Sequence, residues 1–423
     1  MSALIENVTC KFCGCLCDDI TIEVEGDRIL KAKRACPNGR GMFLNYDSTY
    51  RKPLVDGQVV GWDEAVSATV DILNEADSPL IYGLSSTSTE AQRKVVELAD
   101  RLGAIIDSTS SVCHFPTSLA VQTVGEATCT LGEVKDRADL LIFWGCNPLV
   151  SHIRHFSRYS ANAKGMLTPN GRKDRTVVVV DVRPTQTAKT ADRFLQIEPG
   201  SDYEVLTSLR VLVQGKNIEH GVGGLSSEQL QELAHMMKTC RYGVAFFGMG
   251  LTMTPGRNYN VAELFTLCAE LNRYNRFSVV PMRGHGNVAG ADQVLTWLSG
   301  YPTAVSFARG YPQFGPGEFT TVDILSRGEA DAALIVASDP VAHLPWMAAK
   351  NLERIPTILM TPTTNCSSKV AKVILPTACY GIDAPGTSYR MDNVPLRLRA
   401  VFPNTRPTDE EILSRIIKAV QQC

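Results

Sequence analysis

The chain has 423 residues, 44% of them hydrophobic and 20% charged, with a formal charge of −2. That length suggests two or three domains with a sizeable core, and the near-neutral balance gives no basic field that would point to nucleic acid or an anionic membrane. The start, MSALIENVTC, has no basic flank followed by an apolar run, and no stretch reaches the ~18 apolar residues of a membrane helix, so a soluble, cytoplasmic protein is expected.

Thirteen cysteines are many for such a chain, and five fall within the first 36 residues: Cys10, Cys13, Cys15, Cys17 and Cys36. Clustered thiols in a reducing compartment bind metal more often than they pair. Cys240, Cys268, Cys366, Cys379 and Cys423 read as small apolar fillers or inert thiols. After the first cysteines, Ile20, Ile22 and Val24 alternate with polar residues, Gly26-Asp27 signals a turn, and Ile29-Leu30 resume. That pattern predicts a β-hairpin that carries Cys36 back beside the first thiols, in a small β unit to about residue 60. From residue 62 the period becomes helical, with Ala65, Val66, Val70, Ile72 and Leu73 on one stripe. SPLIYGLSS then reads as a strand, and TEAQRKVVELADRLGA as a helix closed by Gly103. Strands are predicted at DLLIFWGCNP, TVVVVDVRP, YGVAFFGMG, ADAALIVASDP, PTILMTP and KVILPT, with helices at SDYEVLTSLRVLV and VAELFTLCAELNR. Near-continuous Val/Ile/Leu strands suit parallel sheets buried on both faces, and their small-residue ends are where ligands bind in α/β sheets. A last helix, EEILSRIIKAV, follows a possible Thr408–Glu411 capping box.

Cys10-x2-Cys13-x3-Cys17, then 18 residues, then Cys36, supplies four thiolates from two loops. A [4Fe–4S] cluster takes such a set, and Pro37 after the last cysteine resembles the ending of ferredoxin runs. Zinc is the alternative, although Cys36 lacks the second CxxC knuckle of a zinc ribbon. Cys15 is the spare thiol. In DSTSSVCHFP, Cys113 and His114 stand at a strand end before a helix, where a thiolate has a lowered pKa and can ligate a metal. A buried structural cysteine is the plainer reading of that pair.

The cysteine start, SSVCHFP (110–116), WGCNP (144–148), VVDVRPTQTAKTADRFLQIEPGSD (179–202), FGMGLT (247–252), ASDP (337–340) and GTSYRMDNVPLR (386–397) together resemble the molybdopterin oxidoreductases related to formate dehydrogenase, in that family's order and over nearly the whole chain. ATCTLGEVKDRADLLIFWGCNP and HIRHFSRYSANAKG are similar to the catalytic B-type subunits of formylmethanofuran dehydrogenases. The resemblance implies an α/β fold: a small β-rich iron–sulfur domain (1–60) and two Rossmann-like domains with mostly parallel sheets (61–108 plus 301–423, and 109–300), each binding one pterin nucleotide. The superfamily's C-terminal β-barrel domain is expected to be absent from this chain.

The cofactor so implied is a bis-molybdopterin guanine dinucleotide with tungsten or molybdenum, fed by one [4Fe–4S] cluster on Cys10, Cys13, Cys17 and Cys36. Loops at Gly145-Cys146-Asn147, at Asp181, Arg183 and Thr185, and at Gly248 and Gly250 would cradle phosphates. Asp202 and Asp339 are candidates for guanine N–H groups. An ordinary strand-to-helix turn is the plain reading of any one of these loops. Cys113 would ligate the tungsten or molybdenum, His114 would face the substrate, and Arg283 would pair with formate or polarise CO2. His285 is a weaker candidate nearby, and His152 and His155 read as structural or subunit-contacting. The reaction implied is reversible two-electron reduction of CO2 to formate. Formate would pass to an amidohydrolase subunit, since the seven histidines contain no HxH signature for that chemistry. Other expected partners are ferredoxin-like electron-transfer subunits and a subunit supplying the pterin-covering barrel. A stand-alone type of formate dehydrogenase subunit and a non-catalytic homologue in a formyltransferase/hydrolase complex are the alternatives. The family's lysine near the fourth cysteine is missing, and Arg40 or Lys33 could replace it.

Overall fold

The computed structural model describes residues 2–46, 51–403 and 406–420. Cys423 lies outside them. The chain forms two compact units: Met1–Val112, His285–Arg390 and Pro395–Cys423 in the first, Cys113–Gly284 and Met391–Val394 in the second.

The first unit opens with a three-stranded antiparallel sheet. The predicted hairpin is present as Ile20–Glu25 and Arg28–Lys33, and a further strand, Ala3–Val8, joins its edge. Four of the six Ala3–Val8 side chains are exposed and only Val8 is buried, so no hydrophobic alternation betrayed it. Cys36 caps the helix Pro37–Leu44, with its sulfur accepting from Gly39 N at 3.4 Å. The unit's main sheet has nine strands. Its parallel centre runs, in spatial order, Ile105–Ser108, Pro79–Gly83, Ala332–Val336, Thr357–Met360, Val373–Leu375, with short antiparallel strands at both edges. The helices Trp62–Glu75, Thr89–Leu102, Val288–Ser299 and Asp409–Ala419 pack into its apolar core. Gly103 ends its helix at φ 63, and both hydrogen bonds of the Thr408–Glu411 capping box form.

The second unit holds a five-stranded, all-parallel sheet. In spatial order its strands are Arg193–Gln196, Thr176–Asp181, Leu140–Trp144, Tyr242–Phe247 and Arg276–Pro281. Every side chain of Leu140–Trp144 is buried, as expected of a central parallel strand. The described residues thus form a mixed α/β structure with parallel sheets and no barrel. No helix among them is long and apolar enough to cross a membrane.

Two of the scattered thiols are not apolar fillers. Cys366 is exposed, and the buried Cys379 accepts from Lys11 Nζ at 2.7 Å. Cys268 is fully buried in the second unit's core.

Candidate functional site

In an open α/β sheet, ligands bind beyond the carboxyl ends of the strands, where the strand order reverses. The second unit reverses between Leu140–Trp144 and Tyr242–Phe247. The loops leaving those two strands are Gly145-Cys146-Asn147 and Gly248-Met249-Gly250. They meet backbone to backbone: Gly250 N donates to Gly145 O at 2.9 Å, and a β-carbon on Gly145 would stand 2.7 Å from Gly250 C. With φ 55 as well, only glycine fits at 145. The first unit reverses between Pro79–Gly83 and Ala332–Val336, and its loop Ala337-Ser338-Asp339 repeats the pattern. Ala337 is left-handed at φ 49, and Asp339 (φ −129, ψ 70) matches Asn147 (φ −127, ψ 70) as the residue before a proline-led turn. Both units therefore end in the same strand–loop–proline device.

Several candidate side chains hold these loops together. Asn147 Oδ1 accepts from Thr187 N at 3.2 Å and from Thr187 Oγ1 at 2.7 Å. Asp339 does the same in the first unit, accepting from Cys366 N, Ser367 N and Ser367 Oγ at 3.0, 2.8 and 2.7 Å. Burial opposes that charge, but the hydroxyl and amides hold the Asp339 carboxyl below the usual range. Thr185 Oγ1 caps Ala188 N at 3.2 Å. Cys146 is buried, and burial pushes its thiol up, so it contributes as packing. Asp181 is half-buried and its carboxyl is raised by burial, while Arg183 is exposed.

Asp202 differs from these. It begins the helix Asp202–Val213 and is 2% exposed. Its Oδ1 accepts from the indole of the buried Trp144 at 2.7 Å, while Oδ2, also buried, has no hydrogen-bond partner among the described residues. Burial raises its carboxyl. A buried acceptor left open calls for a donor, and a guanine edge offers two adjacent N–H groups.

Cys113 follows the 3-10 turn Thr109–Val112, and its carbonyl accepts from Thr252 Oγ1 at 2.8 Å. His114 precedes the helix Phe115–Val124 and is 1% exposed. Its two ring nitrogens lie 3.1 Å from Thr117 Oγ1 and 3.3 Å from Met282 O. Burial and then the Arg283 charge push it down to about 3, so it is a neutral ring fixed at both ends. His152, missed as a site residue, is 2% exposed and reaches Arg283 O at 2.8 Å. Burial lowers it too. Two neutral imidazoles thus clamp consecutive carbonyls and hold Arg283, itself 9% exposed. His155 is fully buried against Phe143 and Phe246, a core residue with no surface for a subunit contact. His285 belongs to the first unit, where its Nδ1 lies 3.3 Å from Thr109 Oγ1.

Also in the first unit, Cys10 N donates to Cys17 O at 2.8 Å and Leu16 N to Cys13 O at 3.1 Å, folding the CxxC segment back on itself. Burial raises the Cys10 thiol, and Cys13, Cys17 and Cys36 raise it further by their charge. A β-carbon on Gly39 would stand 2.8 Å from Cys10 Sγ and 3.8 Å from Cys36 Sγ, so the missing side chain leaves room between two sulfurs. Cys15 is fully buried and hydrogen-bonds Cys13. No three His, Cys, Asp or Glu side chains among the described residues are grouped to hold a single metal ion. Lys33 and Arg40 are exposed. The cation turned inward is Lys11, beside Cys10, with Nζ over the Tyr380 ring at 4.3 Å. Its neighbours are more than 360 residues away in sequence, so no local signal could have found it.

No family-level sequence model matches the chain. It is 44% identical to the B-type subunit of the tungsten-containing formylmethanofuran dehydrogenase 2 of Methanocaldococcus jannaschii, over 100% of both chains. It is 42% identical to the protein of that description from Methanococcus maripaludis, over 99% of each. Among solved structures, a chain of the formyltransferase/hydrolase complex FhcABCD from Methylorubrum extorquens, crystallised with methylofuran, superposes with a TM-score of 0.72 at 23% identity, covering 86% of this chain and 98% of that one.

Proposed function

The chain belongs to the family of B-type subunits of tungsten-containing formylmethanofuran dehydrogenases, which makes it part of an oxidoreductase, and on that premise we propose that it carries the reversible reduction of CO2 to formate. The observation that supports the reading most is Arg283, a largely buried arginine whose backbone is held by His114 and His152, at Met282 O and Arg283 O, in the unit that begins with Cys113. A guanidinium pairs with a carboxylate through two parallel hydrogen bonds, which fixes the bound anion's orientation.

The donor sets fit the expected cofactors. The open Asp202 Oδ2 suits guanine, and the Gly145 and Gly250 loops stand at a sheet's switch point, where pyrophosphate binds, with the N–H groups of Gly145 and Gly250 themselves spent on Val180 O and Gly145 O. Cys113 would ligate tungsten or molybdenum in a bis-molybdopterin guanine dinucleotide, with the first unit's Ala337–Asp339 loop serving the second nucleotide. Cys10, Cys13, Cys17 and Cys36 would hold a [4Fe–4S] cluster, with Gly39 leaving room for it and its N–H directed at Cys36 sulfur, a bond of the kind that tunes such clusters. When bound, these groups supply the two electrons that convert CO2 to formate. The chain's own residues orient and enclose: Arg283 receives the carboxylate, and the two neutral histidines keep its backbone from moving.

Lys11 supplies the inward positive charge beside the cluster in place of the family's lysine. Formate made here would be handed to an amidohydrolase subunit for condensation with methanofuran. Ferredoxin-like subunits would deliver electrons, and a further subunit would cover the pterin. The similarity to a chain of the multisubunit formyltransferase/hydrolase complex supports such an assembly. The test is formate oxidation with a viologen acceptor by the purified complex and by Arg283→Lys. The reading expects a loss of at least a hundredfold in kcat/KM with metal and pterin content unchanged. Unaltered kcat/KM would remove Arg283 from the site.

A further inference from the structure

In the first unit, the strands Gly386–Tyr389 and Pro395–Leu398 form a sheet of two, with one edge closed and the other open. Residues in an antiparallel pair alternately face the partner strand and face away from it. Thr387 faces away: its N–H donates to Glu90 Oε2 at 3.0 Å and its carbonyl accepts from Asn287 Nδ2 at 3.5 Å. Tyr389 N likewise donates to Asn287 Oδ1, at 2.8 Å. Arg397 stands opposite Thr387, so its own N–H and carbonyl point out of the other edge. The carbonyl accepts from Thr9 Oγ1 at 3.4 Å, and the N–H has no acceptor among the described residues. That edge borders a cavity of about 580 Å³. Its far wall is Asp18 with Asn7 and Thr9, which lie at the end of the edge strand Ala3–Val8. Asn7 is left-handed at φ 57, where that strand's register breaks between Ile5 and Val8. Arg397 and Arg399 are exposed, two apart on the face opposite the buried Leu398, and neither forms an ion pair among the described residues.

We propose that this cavity receives an extended acidic segment of another subunit, which adds a strand to the open edge. The segment's backbone takes the Arg397 N–H, and its carboxylates, two residues apart, meet Arg397 and Arg399. This docking requires only that the chain work within a multisubunit assembly, whatever chemistry it carries. An unpaired N–H on a strand edge is met by a carbonyl, and an extended chain offers one at every second residue on each side. Side chains two apart on a strand share a face about 6–7 Å apart, so alternating acids match the two guanidiniums. Asp18 is the single carboxylate among the lining side chains, so the cavity keeps an excess of positive charge. A second copy of this chain is the poorer occupant, because pairing edge to edge would set arginine against arginine. A sheet of two strands is marginal by itself, and a third strand stabilises what is the smallest sheet among the described residues.

The experiment uses the purified complex, with its subunits counted by native mass spectrometry. Amide hydrogen exchange is followed at Arg397, and a benzophenone amino acid at Pro385, exposed at the cavity's margin, marks the neighbouring segment on irradiation. The Arg397 amide should exchange about a hundredfold or more slower than in an unstructured peptide. The crosslink should fall in another subunit, on a segment with carboxylates two residues apart. Arg397→Glu with Arg399→Glu should return exchange to within about tenfold of the unstructured rate and abolish the crosslink, while Arg397→Lys with Arg399→Lys keeps both. Exchange at the unstructured rate in the unaltered complex overturns the added strand, with or without a crosslink. No crosslink, or one to a second copy of this chain or to a segment lacking carboxylates, overturns the occupant. A charge reversal that changes neither readout overturns the part given to the arginines. A complex with no other subunit overturns the assembly itself, which distinguishes that failure from the rest.

Discussion

Replacing Gly39 with alanine sets two effects against each other. Gly39 is the third residue of the helix Pro37–Leu44, where alanine is favoured over glycine by up to about 1 kcal/mol. The new methyl, however, would stand 2.8 Å from Cys10 Sγ and 3.8 Å from Cys36 Sγ. Cys10 has little freedom to retreat, being 7% exposed with its N–H bonded to Cys17 O at 2.8 Å. Overpacking of this kind costs about 1–3 kcal/mol, so the net loss of stability is about 0–3 kcal/mol. The effect on metal should be larger than that figure suggests, because ligand positions tolerate only about 0.2 Å and the methyl displaces a sulfur by more. Gly41→Ala is the control within the same helix, since a β-carbon there would meet only Asn45 Nδ2 at 3.9 Å. The assay is iron per complex alongside the thermal midpoint. Gly39→Ala should lose most of the iron owed to this chain with a modest change in midpoint, and Gly41→Ala should keep it. Full iron in Gly39→Ala, or equal loss in both variants, would refute the placement of a cluster between these sulfurs.

The paired loops predict opposite responses to the same kind of change. Gly145→Ala combines a left-handed φ of 55 with a 2.7 Å approach to Gly250 C, and should cost about 2–4 kcal/mol in chemical denaturation. Ala337→Gly, at φ 49, should stabilise by up to about 1 kcal/mol, and a loss instead would contradict the equivalence of the two loops. Asp202→Asn keeps an acceptor for the Trp144 indole but places N–H₂ where Oδ2 was, so guanine nucleotide released by acid from the purified complex should fall by at least half; undiminished nucleotide would show that Oδ2 does not meet guanine. Glu126 has a folded-state pKa raised to about 7, so its neutral form stabilises the fold below the ordinary glutamate range and that contribution is lost as pH rises towards 7. The thermal midpoint of Glu126→Gln relative to the unaltered complex should therefore rise between pH about 5 and 8, and a constant difference would mean that the carboxyl is hydrated.

The sheets were legible because their strands are buried on both faces and so read as apolar runs: Leu140–Trp144, Thr176–Asp181 and Ala332–Val336 stand where the pattern put them. Ala3–Val8 was not, because it is an edge strand with little to bury, and neither was Pro37–Leu44, whose Pro, Asn and two glycines read as a loop. The loops at the switch points could be found from glycines and strand ends. The roles of individual side chains within them could not. Asn147 and Asp339 look alike as ligand-facing residues, yet each is occupied by a hydroxyl and amide 27 to 40 residues further on. His114 reads as a substrate-facing residue before a helix, and its burial between Thr117 and Met282 depends on a segment 168 residues away. Glu126 carries no motif at all. Its raised pKa comes from burial, which only the folded chain provides.

The central claim, that the chain holds both an iron–sulfur cluster and a tungsten or molybdenum pterin, is tested most directly by metal analysis. Iron, tungsten, molybdenum and zinc would be counted per complex, with pterin fluorescence after acid oxidation, in the unaltered protein and in Cys36→Ser. The account predicts one tungsten or molybdenum with pterin, and about four iron atoms that disappear in Cys36→Ser. Zinc at the cysteine site, with no pterin, would contradict it.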